Sequence, residues 1–179
     1  AGGTLTTRFR RKRKEAMGKA EEAGGPRGAA NVLANCSVAT FLVACAALTP
    51  ASAPLLQLAA AAAFATALMD TVGTGVGQAL KTPTVLLPDF RRVPPGTDGA
   101  VSVGGTVAGL LAALLLALLG AALGLYAPSG IAVVVVAAFA GTVVESLLGR
   151  DGAPWRVTNG HVLNFFNTLA GAALALLLA

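Results

Sequence analysis

Asp70 and Glu145 are carboxylates set inside long apolar runs. An isolated charge in hydrocarbon is costly, so such an acid either serves a neighbouring helix as an ion-pair or hydrogen-bond partner, or faces a polar cavity. The company each acid keeps favours the cavity. Asp70 is followed by Thr71, Gly73, Thr74 and Gly75, and Glu145 by Ser146. Asn164 and Asn167 open another apolar run, while Asn31 and Asn35 follow Arg27 and share a helix face at i, i+4. Between the two acids lies FRRVPPGTDGAVSVGGTVAG, residues 90–109, where Arg91 and Arg92 lead into a Gly/Pro turn and then into an apolar run. Such a cluster is an ordinary surface turn in most chains. At the mouth of a membrane segment its amides and arginines could also hold a phosphate.

Those residue types together suit a phosphate and a divalent cation. Magnesium takes a few carboxylate ligands and fills its shell with water and phosphate oxygens. Asp70, Glu145 and the turn carboxylate Asp98 are the candidate ligands, and Asp70 and Glu145 the candidate catalytic residues. Arg27, Arg91, Arg92, Asn31, Asn35, Asn164 and Asn167, with Gly96, Thr97, Gly99, Gly105 and Thr106, are the candidate substrate- and phosphate-binding groups. Phosphoryl transfer needs little beyond such positioning and charge stabilisation. There is no Walker A motif, since Lys81-Thr82 follows Leu80 rather than a glycine. No Ser/His/Asp set or Cys/His metal cluster is present. His161, the sole histidine, stands at a helix start and reads as a cap-like hydrogen-bonding group.

The elements that must carry these residues are membrane spans. The chain has 179 residues, 55% hydrophobic and only 12% charged, with a mean hydropathy of +0.75. A soluble domain carries about 25% charged residues, so this is an integral membrane protein. The fold class is all-α, a polytopic bundle of about five transmembrane helices, over 29–48, 53–80, 101–126, 129–148 and 160–179. Residues 1–28 form a basic juxtamembrane segment containing the run RFRRKRK, and 29–179 a single helical domain. Threading five spans puts the N-terminal segment and the loops 81–100 and 149–159 on one side. The uncharged turns at 49–52 and 127–129 and the C-terminus fall on the other. By the positive-inside rule the charged side is cytosolic, or stromal in a plastid. The net charge of +5 has no aromatics interleaved with it, which argues for anionic lipid or substrate and against nucleic acid. Cys36 and Cys45 lie nine residues apart on one helix and point to opposite faces, so they cannot bridge. The chain opens at Ala1 with no Met, which points to preceding sequence. Three G-x-x-x-G pairs, Gly73/Gly77, Gly105/Gly109 and Gly120/Gly124, permit close helix approach.

Several blocks occur in an order that resembles the transmembrane protein 19 family, which includes the plant and algal phytyl-phosphate kinases. They are Pro26-Arg27-Gly28 with Asn31 and Asn35, Asp70-Thr71, Lys81-Thr82, Val93-Pro-Pro-Gly-Thr-Asp-Gly99 with Ser102, Gly105 and Thr106, Glu145-Ser-Leu-Leu-Gly149, and Thr158-Asn159 with Asn164 and Asn167. The resemblance implies an enzyme of chloroplast membranes, in the inner envelope or thylakoid, with its charged loops in the stroma. It would phosphorylate phytyl phosphate to phytyl diphosphate, an isoprenoid product for tocopherol and phylloquinone synthesis, using a nucleoside triphosphate, CTP. Gly75 and His161 stand where the family often has acids. The alternative is therefore a catalytically degenerate member acting as a structural subunit of a plastid or other organellar membrane complex.

Overall fold

The computed structural model describes residues 28–80 and 82–179; the basic run, Arg27 and Lys81 lie outside them. Five helices among the described residues are long and apolar enough to cross a membrane. They are α1 (Ala29–Leu48), α2 (Ala53–Leu80), α3 (Val103–Ala122), α4 (Gly130–Leu148) and α5 (Gly160–Leu178).

The central helix is α2. It packs on all four others, and 61% of its most apolar 18-residue stretch is buried against 22–33% for the same length of the rest. The sequence allows this because Ala59–Ala63 are buried as an unbroken run, so neighbours can approach every face. With 28 residues it is about 42 Å long, more than the roughly 30 Å of a bilayer core. Asp70 lies about 25 Å from its start, near the charged-side boundary. A 3₁₀ turn, Pro50–Ser52, leads into it. Helix α1 stops just before that turn, where Thr49 gives both its N–H and its hydroxyl to the Cys45 carbonyl.

Helices α2 and α3 cross with almost nothing between them. A Cβ on Gly105 would lie 2.6 Å from the Gly73 carbonyl oxygen, and one on Gly109 2.6 Å from that of Met69. The first two G-x-x-x-G pairs therefore meet at this crossing. The third does not act as a pair: Gly120 packs on the Tyr126 ring, whereas Gly124 sits in a turn at φ +72° with open space around it. Beyond the crossing, Tyr126 donates to the Ala117 carbonyl at 2.9 Å and closes the α3–α4 turn. Around it Leu58, Ala113, Ala117, Val134 and Ala138 form the main apolar core. A smaller core joins Val38, Ala39 and Leu42 of α1 to Ala59, Ala63 and Ala172.

Two boundaries differ from the sequence expectation. The third span is shorter than 101–126, because Ser102 caps α3 by accepting the Gly105 N–H at 3.2 Å, and the chain turns at Gly124. The segment 81–100 is also more than a loop. Strands β1 (Thr84–Leu86), β2 (Arg91–Val93) and β3 (Ala100–Ser102) form an antiparallel sheet in the order β2-β1-β3. Leu86, fully buried, fixes its register opposite Arg91 and Ala100. Cys36 and Cys45 are both free thiols.

Candidate functional site

A cavity of about 300 Å³ opens at the end of the bundle where the sheet sits. One face of α2 lines it with Asp70, Gly73, Thr74, Gly77 and Gln78, spaced at i, i+3, i+4, i+7 and i+8. Facing them are Thr142, Glu145 and Ser146 of α4 and its C-cap Gly149, with the same periodicity. Gly105 and Thr106 come from the first turn of α3, Gly160 and Leu163 from that of α5, and Pro95–Ser102 form the roof.

Each acid is held by a neighbour. The Thr74 hydroxyl donates to Asp70 Oδ1 at 3.2 Å, across one helical turn. Asn167 Nδ2 donates to Glu145 Oε2. Asn167 is wholly buried behind Glu145 and does not line the cavity. Its Oδ1 is buried with no hydrogen-bond partner among the described residues. Gly141 makes room for this amide, since a Cβ there would lie 2.9 Å from the Asn167 carbonyl and 3.2 Å from its Oδ1.

The roof is latched to the loop that follows α4. Arg156 bridges Asp98 at 2.6 Å and Asp151 at 3.0 Å, and Arg150 holds Asp89 at 2.7 Å. The Asp151 N–H donates to the Asp98 carbonyl at 3.2 Å. Gly99, at φ +74°, presses so closely on the end of α4 that a Cβ would lie 2.6 Å from Arg150 Cα and from the Ser146 carbonyl. Only glycine fits there on both counts.

The structure thus gathers Asp70, Glu145, Asp98, Gly96, Thr97, Gly99, Gly105 and Thr106 at one cavity. Asn164 is buried on α5 away from the lining. Asn31 and Asn35 lie on α1, outside it, where Asn35 Nδ2 donates to the Asn31 carbonyl at 2.8 Å. Arg91 and Arg92 are exposed on β2 and do not line it, and no described Lys or Arg does. The N–H cap of α5 comes from Asn159, whose Oδ1 accepts from His161 N and Val162 N, while the His161 side chain is exposed. Thr74, Gln78, Thr142, Ser146 and Thr158 are lining groups that the site reading omitted. Their signal was the i, i+4 spacing of Thr74 from Asp70 and of Ser146 from Thr142, on the two helices that carry the acids.

The lining donors fit a hard divalent cation. They are carboxylate, hydroxyl and amide oxygens, with no thiol or imidazole among them. No three His, Cys, Asp or Glu side chains cluster closely enough to cage a metal among the described residues. Any cation held by Asp70 and Glu145 would therefore need further oxygens from phosphate or water, which is magnesium's habit.

Five spans around a buried central helix, with a polar cavity under a latched roof, define a polytopic integral membrane helical protein. Residues 1–172 match the family described as integral membrane protein DUF92, and the chain belongs to that family. It is 42% identical over 178 residues to an uncharacterized membrane protein of Synechocystis sp., covering 97% of this chain and 68% of that one. It is 35% identical over 184 residues to the chloroplastic protein VTE6 of Arabidopsis thaliana, covering 98% of this chain and 55% of that one. The chain therefore spans about two thirds of the first relative's length and just over half of the second's. No solved structure matches it.

Proposed function

We propose that this protein is a kinase of isoprenoid monophosphates, phosphorylating phytyl phosphate to phytyl diphosphate with CTP, in a chloroplast membrane with its charged loops in the stroma. The observation that carries the reading is the pairing of Asp70 and Glu145 across one polar cavity at the headgroup end of the bundle. The motif resemblance supplies the substrate and the donor, and the likeness to a chloroplastic protein supports the location.

The chemistry matches what the cavity holds and lacks. The nucleophile is an oxygen of phytyl phosphate, already largely anionic near neutral pH because its second pKa is about 6. One P–O bond forms at the terminal phosphorus of the nucleotide while the bond to its bridging oxygen breaks, leaving the nucleoside diphosphate. No proton must be removed, so no histidine or serine base is needed. The first turns of α3 and α5 reach the cavity at Gly105, Thr106 and Gly160, and helix N-termini favour phosphate there. The Thr106 hydroxyl and the Gln78 amide are placed to orient phosphate oxygens, while the Ser146 hydroxyl donates to the Thr142 carbonyl at 3.0 Å. The last turn of α4, with Glu145 and the C-cap Gly149, presents the opposite pole of a helix dipole, which favours a cation. Asp70 and Glu145 would hold magnesium, which neutralises phosphate charge when bound. Gly75 is buried and does not line the cavity.

The test is the purified full chain in lipid nanodiscs with phytyl phosphate and each nucleoside triphosphate, scored by mass spectrometry of phytyl diphosphate. Magnesium-dependent transfer, greatest with CTP, is expected. No transfer with any nucleotide, from a protein that leaves mild detergent only within a large complex, would install the structural-subunit reading instead.

A further inference from the structure

The geometry points to the strand Arg91–Val93 with the preceding Phe90 as a binding site for anionic phospholipid headgroups, separate from the cavity. Four observations converge on it. Charge comes first. The other described arginines of this face are neutralised, Arg150 by Asp89 and Arg156 by Asp98 and Asp151. Arg91 and Arg92 are exposed and form no ion pair among the described residues.

Second, Phe90 is the one described non-glycine residue with positive φ, at +54°, and it is 68% exposed. A bulky side chain in the left-handed region is strained and persists where its surroundings impose it. Here it leaves an exposed aromatic ring directly before the two exposed arginines. Third, the sheet lies between the ends of two spanning helices, three residues after α2 and directly before α3. That places it in the headgroup layer. The neighbouring Val103 is 80% exposed, as a side chain facing lipid would be. Fourth, β2 is an edge strand, paired only through β1, so its outer side is open.

An exposed aromatic beside arginines at the headgroup level is the pattern of an interfacial anchor. The ring sits in the acyl region just below the headgroups, while Arg91 and Arg92, on opposite faces of the strand, each reach a separate headgroup phosphate. The occupant is a lipid rather than the nucleotide because neither arginine lines the cavity. Trp155, the sole tryptophan and 64% exposed, stands in the loop that Arg150 ties to Asp89, the residue before Phe90. It is a built-in reporter on the same layer.

The experiment uses the full chain and compares Arg91→Ala/Arg92→Ala, Arg91→Lys/Arg92→Lys and Phe90→Ala with wild type. Lipid retention is read by native mass spectrometry with phosphatidylglycerol and phosphatidylcholine as probes, and by Trp155 fluorescence in nanodiscs with and without phosphatidylglycerol. Each arginine should contribute about fivefold in phosphatidylglycerol affinity, and the double alanine variant should lose about 25-fold. The double lysine variant should retain most of the affinity, and neither arginine variant should change phosphatidylcholine retention, whereas Phe90→Ala should weaken retention of both lipids. CTP binding, followed by equilibrium dialysis, should be unaltered. Unchanged phosphatidylglycerol retention in the double alanine variant would overturn the inference. So would a loss of CTP binding with lipid retention intact, which would return the arginines to the phosphate chemistry of the cavity.

Discussion

Asp70 and Glu145 carry the proposed chemistry, and their replacement separates charge from shape. Asp70→Asn and Glu145→Gln keep size and insertion but remove a charged oxygen. Both should abolish detectable transfer to phytyl phosphate and weaken Mn²⁺ binding followed by electron paramagnetic resonance. Wild-type Mn²⁺ affinity in both variants would remove these residues from the metal's reach. Asn167 acts through Glu145, to which it donates from a wholly buried position. Loss of such an outer partner typically costs about 10- to 100-fold in metal affinity or activity. Asn167→Leu should therefore weaken Mn²⁺ binding by about that factor while leaving lipid retention untouched.

Glycine contacts set the spacing of the elements that bring the acids together. Gly105→Ala would drive a methyl to 2.6 Å from the Gly73 carbonyl, a backbone atom that cannot rotate away. Overpacking of this kind costs about 1–3 kcal/mol, so the variant should unfold at lower temperature in a detergent melt and lose transfer as α3 withdraws from α2. Gly160→Ala meets nothing within 4 Å and should melt at or above the wild-type temperature. The α3–α4 turn depends on Tyr126, whose hydroxyl donates to Ala117 and whose burial pushes its pKa above the ordinary 10.0. The phenol is neutral in the folded state, so above pH 10 the unfolded chain releases its proton first and stability falls with rising pH. Tyr126→Phe should cost about 0.5–1.5 kcal/mol near neutral pH. It should also lack this part of the alkaline decline, as melts on both sides of pH 10 would show.

The whole molecule is polarised between a charged and an uncharged end. With Cys36 and Cys45 first replaced by alanine, a cysteine at Thr97 should label from one side of sealed vesicles. Cysteines at Ser52 and Ser129, in the two turns of the other end, should label from the opposite side. Labelling of Thr97 and Ser129 from the same side would refute the topology. The same polarity puts the cavity, the latched roof and the Phe90–Arg92 strand in one layer. Under the proposed function, a water-soluble nucleotide and a membrane-embedded prenyl phosphate would meet there without either crossing the bilayer.

How much of this the amino-acid order determines by itself differs by feature. Long apolar runs force helices because hydrocarbon offers no partner for an unpaired backbone group. The five spans and the family blocks were therefore legible, down to Asp70 and Glu145 as the intramembrane acids. The strands were not. Each is three residues long among prolines, and a period of two cannot declare itself in so short a stretch. Equally hidden was the division of labour among the charges. Nothing in the order of residues says that Arg156 is drawn to Asp98 across 58 positions, or that Asn167 backs Glu145 instead of facing the cavity. Nor does it say that Arg91 and Arg92 stand outside. Such pairings depend on which side chains share a layer once α2 is enclosed by the other four helices. Only tertiary packing sets that, because long polar side chains choose partners by distance in space and not by distance along the chain.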